Sequence, residues 1–477
     1  MDAISASSRP TAAGSRAVRP DYPRVTGLDR GSPGLVDLWF VLMTAGGYVV
    51  PVVRRESRTH KLGRGRTCLT GLAVVAGALA LAACGASSGT PTLQWYVFPE
   101  PSGSFASAAK ICSKASGGKY SIAINTLPTQ ADSQRQQLVR RLAAKDSSID
   151  IVGMDVTYTP EFAQAGWIRP WTGADKTAAS NGVLPGPLAT ATWQGKLYGA
   201  PDNSNTQLLW YRKDLVPNPP QTWQQMIADA VKLAKQGKPH YIEVQGAQYE
   251  GLTVWFNSLV DSAGGQILSG PRKVAIGPSA VKAATIIHEL ANSPAADPGL
   301  SNANEDAARL GFESGKAAFE LNYPFVYPSI QADKPKLAKV FGYTYYPRVD
   351  ANAPAKVTIG GLNLAVSSYS LYPKYDFAAI RCLTNAANQK VDAVKGGLPP
   401  SLASVYNDPA LAKPYPFKAL IAKELAKPGI RPQTPAYADV TIAISKALSP
   451  PSSVNPKTVV NTLRSELKSA LGSGALI

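Results

Sequence analysis

From residue 92 onward, apolar and polar positions alternate in short blocks that switch between strand and helix periods. Residues 93–98 read as a strand, 105–113 as a helix and 120–127 as an alternating second strand. Residues 133–144 set Leu138, Val139 and Leu142 at helical spacing. Residues 149–154 form a continuous apolar run ending at Asp155, the pattern of a strand buried on both faces. A helix is expected over 159–165, with Thr159 as its cap and Pro160 at its first position. Later patterns predict helices over 223–235 and 280–291, a strand over 357–366, and further elements over 377–393, 436–448 and 459–471. Strands alternating with helices imply an α/β sheet covered on both faces. In such sheets ligands gather at the carboxyl ends of strands, where Asp155 stands.

The pattern is different before residue 92. A basic cluster of Arg54, Arg55, Arg58, Lys61, Arg64 and Arg66 precedes an apolar run that ends in Leu81-Ala82-Ala83-Cys84. Basic, then apolar, then small residues is the plan of an export signal. The last four residues resemble the lipobox of bacterial lipoproteins. By that resemblance Cys84 carries the lipid anchor and begins the mature protein, on the outer face of the cytoplasmic membrane. A transmembrane helix is the competing reading, but the run is short for the roughly 20 residues of a span. Residues 1–83 are thus expected to be a signal region. Translation is expected to begin near Val52 or Val53, with the upstream residues a start-site error; the alternative is an extra membrane segment over 38–53. Residues 84–91 read as anchor and flexible tether. Their match to G-x-S-x-G lacks the strand that motif requires.

Charge and cysteine usage narrow the class. Residues 1–83 hold eleven Lys or Arg against five Asp or Glu, so about +11 of the formal +17 belongs to the rest. No basic stripe with interleaved aromatics follows, which argues against nucleic-acid binding. Cys112 and Cys382 are the remaining cysteines, expected to form a disulfide in an exported domain, the alternative being two buried thiols. His240 and His288 have no Cys or carboxylate at ligand spacing, so no metal or other cofactor is expected.

Residues 150–155 and 161–170 resemble the first lobe of sugar-binding proteins of ATP-driven importers. Residues 198–201 and 205–215 are similar to that family's crossing into the second lobe, and 217–223, 263–265 and 312–319 follow in its order. A closer resemblance, carried by residues 184–191, 205–212, 250–257 and 356–366, is to trehalose-binding lipoproteins of the LpqY type. It implies an α/β, two-lobed periplasmic-binding-protein (Venus flytrap) fold with an interlobe hinge. Residues 92–203 and 357–400 would build the first lobe, 204–356 and 401–477 the second. It also implies ligand contacts at Asp155, Asn205, Glu305, Tyr323, Gly361, Leu362 and Arg431. The family commonly has Trp at Tyr323, and an acid in the loop after the first strand that Glu100 would replace. The implied partners are trehalose or a related disaccharide and two permease subunits with cytoplasmic ATPases.

These residue types suit a neutral sugar on their own chemistry. Carboxylates accept strongly from hydroxyls, Asn donates and accepts, and Arg donates in a planar fork. Each residue also has a structural reading: Asp155 as a cap, Glu305 as a helix start, Tyr323 as core, Arg431 as a surface ion pair. Trp193, Trp210, Trp223, Trp255 and Phe256 read as core. Binding rather than catalysis is expected. The alternatives are another glycan as ligand, a glycoside hydrolase using Asp155 and Glu305 as its carboxylate pair, and an envelope scaffold that binds no sugar.

Overall fold

A computed structural model describes residues 89–472. The signal region, the proposed anchor Cys84 and most of the tether therefore lie outside the described residues. Within them the strands are β1 (Thr92–Val97), β2 (Ser121–Thr126), β3 (Ile151–Asp155), β4 (Thr192–Trp193), β5 (Lys196–Leu197), β6 (Ala200–Asn205), β7 (Leu208–Arg212), β8 (Tyr241–Glu243), β9 (Ala317–Asn322), β10 (Phe341–Thr344) and β11 (Gly360–Val366). They form two main sheets, ordered β2-β1-β3-β11-β6 and β10-β7-β9-β8, plus the β4–β5 pair.

In the first sheet β1 is parallel to β2 and β3, while β11 runs antiparallel to both β3 and β6. Apolar runs bury both faces: Leu93, Trp95 and Val97 pack on one side, Val152 and Met154 on the other. Gly153 is required there, because a Cβ would lie 2.8 Å from the Tyr96 carbonyl. The chain passes to the second sheet through Thr206 and Gln207, between β6 and β7. The helix Glu250–Ser262 is buried along its whole length beside that sheet, next to the helices Pro278–Ala291 and Tyr437–Ala447. Trp210, Trp223, Trp255 and Phe256 are buried core residues, and so is Trp193.

Local chemistry sets the ends of several elements. Thr222 caps the helix Trp223–Lys235 by accepting from the Gln225 N–H at 3.2 Å. The segment around 377–393 forms two helices, Pro373–Leu383 and Ala386–Gly396. Asn385 starts the second by accepting from the Asn388 N–H. Thr159 is not a cap: Tyr158 holds that position and Thr159 is already helical. The strand expected from 357 begins at Gly360. Thr358 pairs instead with Gly429 and bonds to Asn257 and Ser258 of the buried helix. Cys112 and Cys382 form a disulfide, with Cα atoms 5.7 Å apart, joining the helices Ser104–Ala115 and Pro373–Leu383.

The second sheet buries two acids opposite each other, Glu243 on β8 and Glu320 on β9. Burial raises Glu243 to about 9, with Asp297 and Glu320 adding repulsion. Burial raises Glu320 to about 8, against a hydrogen bond from Asn322 that lowers it. Both acids keep their proton when folded at neutral pH but lose it when unfolded, where a Glu titrates near about 4.3. Their contribution to stability is complete below that value and is lost as pH rises through 8 to 9.

Two outcomes are expected. The urea midpoint should fall between pH 6 and pH 9, and Glu243→Gln should flatten the slope; a midpoint that is flat or rising in the parent contradicts the buried-acid assignment. The double change Cys112→Ser, Cys382→Ser should lower stability by about 2–5 kcal/mol, because the bridge closes a long loop. Equal midpoints for parent and variant would show that it does not constrain the unfolded chain.

Candidate functional site

The carboxyl end of β3 and the start of β11 meet at one place. The antiparallel register sets Leu362 opposite Asp155 on one side of β11, and Gly360 opposite Asn205 and Gly361 opposite Ser204 on the other. Gly361 has a φ of 128°, and a Cβ there would come within 2.4 Å of the Asn203 carbonyl. Only glycine fits. A Cβ on Gly360 would touch the Asn205 Cβ at 3.3 Å and lie 4.0 Å from the Tyr323 hydroxyl. Bare backbone thus separates Asn205 of the first sheet from Tyr323, which follows β9 of the second.

Arg431 is buried at the same junction. Its Nη1 donates to Glu250 Oε1 at 2.6 Å, and its Nη2 lies 3.3 Å from Asp155 Oδ1 and 3.4 Å from the Ile359 carbonyl. Asp155 Oδ1 also accepts from the main-chain N–H and hydroxyl of Thr157. Glu250 is held from behind: Tyr437 donates to Oε1, and Thr441 donates to Oε2 at 2.6 Å. Burial pushes the Glu250 carboxyl up, and Arg431 with these hydroxyls pulls it back. One guanidinium therefore links the end of β3 to the start of the helix Glu250–Ser262.

Glu305 opens the helix Glu305–Glu313, where the side chain of Asn304 caps the Ala307 N–H at 2.9 Å. A carboxylate in a first helical turn is favoured by the helix dipole. Burial nevertheless raises the Glu305 carboxyl. The Tyr323 hydroxyl is pushed up by burial and then by the charge of Glu305. Arg431, Asp155 and Glu250 act on it as well, so these groups share one electrostatic neighbourhood.

Among the polar atoms buried here without a hydrogen-bond partner are Asn205 Oδ1, Arg431 Nε and the hydroxyls of Tyr249 and Ser204. Asn205 Oδ1 is an acceptor, Arg431 Nε a donor, and each hydroxyl can be either. Asp155 and Glu250 both pair with the one guanidinium, so Arg431 offers no uncompensated positive charge to an anionic ligand. The arrangement suits ligand hydroxyls better than a strongly charged group.

Not every residue named from the sequence joins this cluster. Asp155, Asn205, Glu305, Tyr323, Gly361 and Arg431 surround it. The Leu362 side chain packs in the first-sheet core. The Glu100 carboxylate turns back on its own loop, accepting from the N–H groups of Ser102 at 2.9 Å and Ser104 at 2.8 Å. It thus holds the first N–H of the helix Ser104–Ala115 and lies beside Gly396. Two residues were missed, Glu250 and Tyr249. The signal for Glu250 was a carboxylate at the head of an otherwise largely apolar helix, since a buried charge requires a partner. Tyr249 folds over Gly251, where a Cβ would lie 2.1 Å from the tyrosine oxygen.

Comparison with known proteins agrees with this layout. The family model for bacterial extracellular solute-binding protein matches residues 112–390. The probable ABC transporter-binding protein of Deinococcus radiodurans is 29% identical over 340 residues, covering 68% of this chain and 79% of that protein. Among solved structures, maltose-bound MalE3 of T. maritima superposes with a TM-score of 0.73 at 24% identity, over 80% of this chain and 99% of that one. The GacH receptor of Streptomyces glaucescens, solved unliganded and with acarbose, gives 0.70 at 21% identity, over 80% and 98%. These neighbours have the two-lobed maltose-binding-type fold, and the chain belongs to the bacterial extracellular solute-binding proteins.

Proposed function

We propose that the protein captures a neutral disaccharide, trehalose first among the candidates, in the cleft between its two sheets. The lobes close on it about the strands that link them, and the loaded protein delivers it to two permease subunits driven by cytoplasmic ATPases. A lipid on Cys84 holds it to the outer face of the membrane. The observation that carries this reading is the surroundings of Arg431. Its guanidinium is paired with both Asp155 and Glu250, leaving no free cation for an anionic ligand, while Nε and Asn205 Oδ1 keep unused hydrogen-bonding capacity. Asp155 and Glu305 would accept from sugar hydroxyls, Asn205 and Arg431 would direct them, and Tyr323 would lie against a ring face. Gly361 and Leu362 would offer their main chain. The names of structural neighbours, bound to ligands from ribitol and tagatose to maltose, maltotriose and maltotetraose, support a neutral sugar or sugar alcohol. The LpqY-like sequence phrases favour trehalose among them.

Calorimetric titration of the purified protein with trehalose, maltose, sucrose and glucose is expected to give saturable binding, tightest for trehalose. Glu305→Ala or Arg431→Ala should weaken it about ten- to hundredfold, the worth of one or two buried hydrogen bonds to a charged group. Folded protein that binds none of the four sugars would remove the trehalose assignment. Release of glucose on long incubation would instead favour glycoside hydrolysis. Glu250→Ala leaves Arg431 buried with less compensation, and is expected to cost about 3 kcal/mol of stability. Glu250→Gln should cost less, read by thermal unfolding. An unchanged melting temperature in Glu250→Ala would contradict the role given to that pair.

A further inference from the structure

We infer that Asn322 is a positioning residue for ligand selection, setting Glu305 and Tyr323 relative to one another; this rests on the proposed sugar site. Asn322 ends β9 and is wholly buried. Its side-chain nitrogen donates to the main-chain carbonyl of Glu305 at 2.9 Å and to Glu320 Oε1 at 2.7 Å. Its side-chain oxygen accepts from the main-chain N–H of Tyr323 at 2.8 Å. A single planar amide thus ties the first residue of the helix Glu305–Glu313 to the residue that leaves β9.

The orientation of that amide is determined. Both of its N–H groups meet acceptors, and its oxygen meets a donor. Turned over, the oxygen would face the Glu305 carbonyl, and an N–H would face the N–H of Tyr323. Glu320 supplies the acceptor that helps choose between the two states, which gives this buried acid a purpose beyond filling the sheet. The strand end is itself fixed, because Trp210 Nε1 donates to the Asn322 carbonyl at 2.9 Å and β7 pairs with β9 through Leu208 and Asn322. Binding sites depend on supporting hydrogen bonds of this kind, since small displacements of the contacting groups forfeit the contacts. Asn322 acts through its neighbours.

The test is calorimetric titration of the purified full chain with trehalose and maltose. The variants are Asn322→Ala, Glu320→Gln, Glu305→Gln and Asp155→Asn, with Asn322→Ala combined in turn with each of the last two. Asn322→Ser replaces the alanine variant should that not fold. Asn322→Ala is expected to weaken trehalose binding about tenfold or more, and to narrow the preference over maltose. Combined with Glu305→Gln, the loss should be smaller than the product of the single losses; combined with Asp155→Asn, the losses should multiply. Glu320→Gln, which keeps an acceptor, should retain affinity within about threefold. Parent-like trehalose affinity and preference in Asn322→Ala overturn the inference. Losses that multiply in full with Glu305→Gln overturn it too, because the residue would then be merely structural. A parent that binds no disaccharide overturns the proposed function, and this inference with it.

Discussion

Arg431 carries a permanent positive charge where little water reaches it, and the candidate site is arranged around that fact. A buried guanidinium is tolerable only when paired and hydrogen-bonded. Its partners come from distant parts of the chain: Asp155 from the end of β3, Glu250 from the head of a buried helix, and the Ile359 carbonyl from the segment before β11. Glu250 in turn needs Tyr437 and Thr441 from the C-terminal part of the chain. Both sheets must therefore be in place before the charge is satisfied. The link between fold and site is electrostatic.

The backbone of β11 provides the second constraint. It is antiparallel to both of its neighbours and begins with two glycines. Gly361 adopts a conformation closed to other residues, and a side chain at Gly360 would crowd Asn205. The strand thereby brings Asp155 and Asn205 to one edge without side chains of its own between them. Across that edge stand Glu305 and Tyr323, tied together through the Asn322 amide.

Much of this was legible in the sequence, for reasons that differ between residues. Asp155 could be placed because a continuous apolar run predicts a buried strand and the next polar residue marks its carboxyl end. The helix over 223–235 was legible because its apolar spacing and its threonine cap agree. The break between the helices Pro373–Leu383 and Ala386–Gly396 is not legible, because only the bond from the Asn388 N–H to the Asn385 side chain marks it. Glu100 looked available for a ligand because nothing in the sequence reveals that its own loop turns back to use its carboxylate. Glu250 was overlooked for the opposite reason. Its partners lie about 180 to 190 residues away, and pairings over such distances leave no local pattern.

The central claim is that Arg431 holds the two lobes to a common ligand-ready geometry. Small-angle X-ray scattering of the purified protein across a trehalose titration tests it most directly, with Arg431→Ala beside the parent and circular dichroism to confirm that both are folded. Saturable compaction of the parent with trehalose is expected, and a variant that is more extended and compacts only at about ten- to hundredfold higher sugar. A variant whose scattering profile and compaction match those of the parent would contradict it.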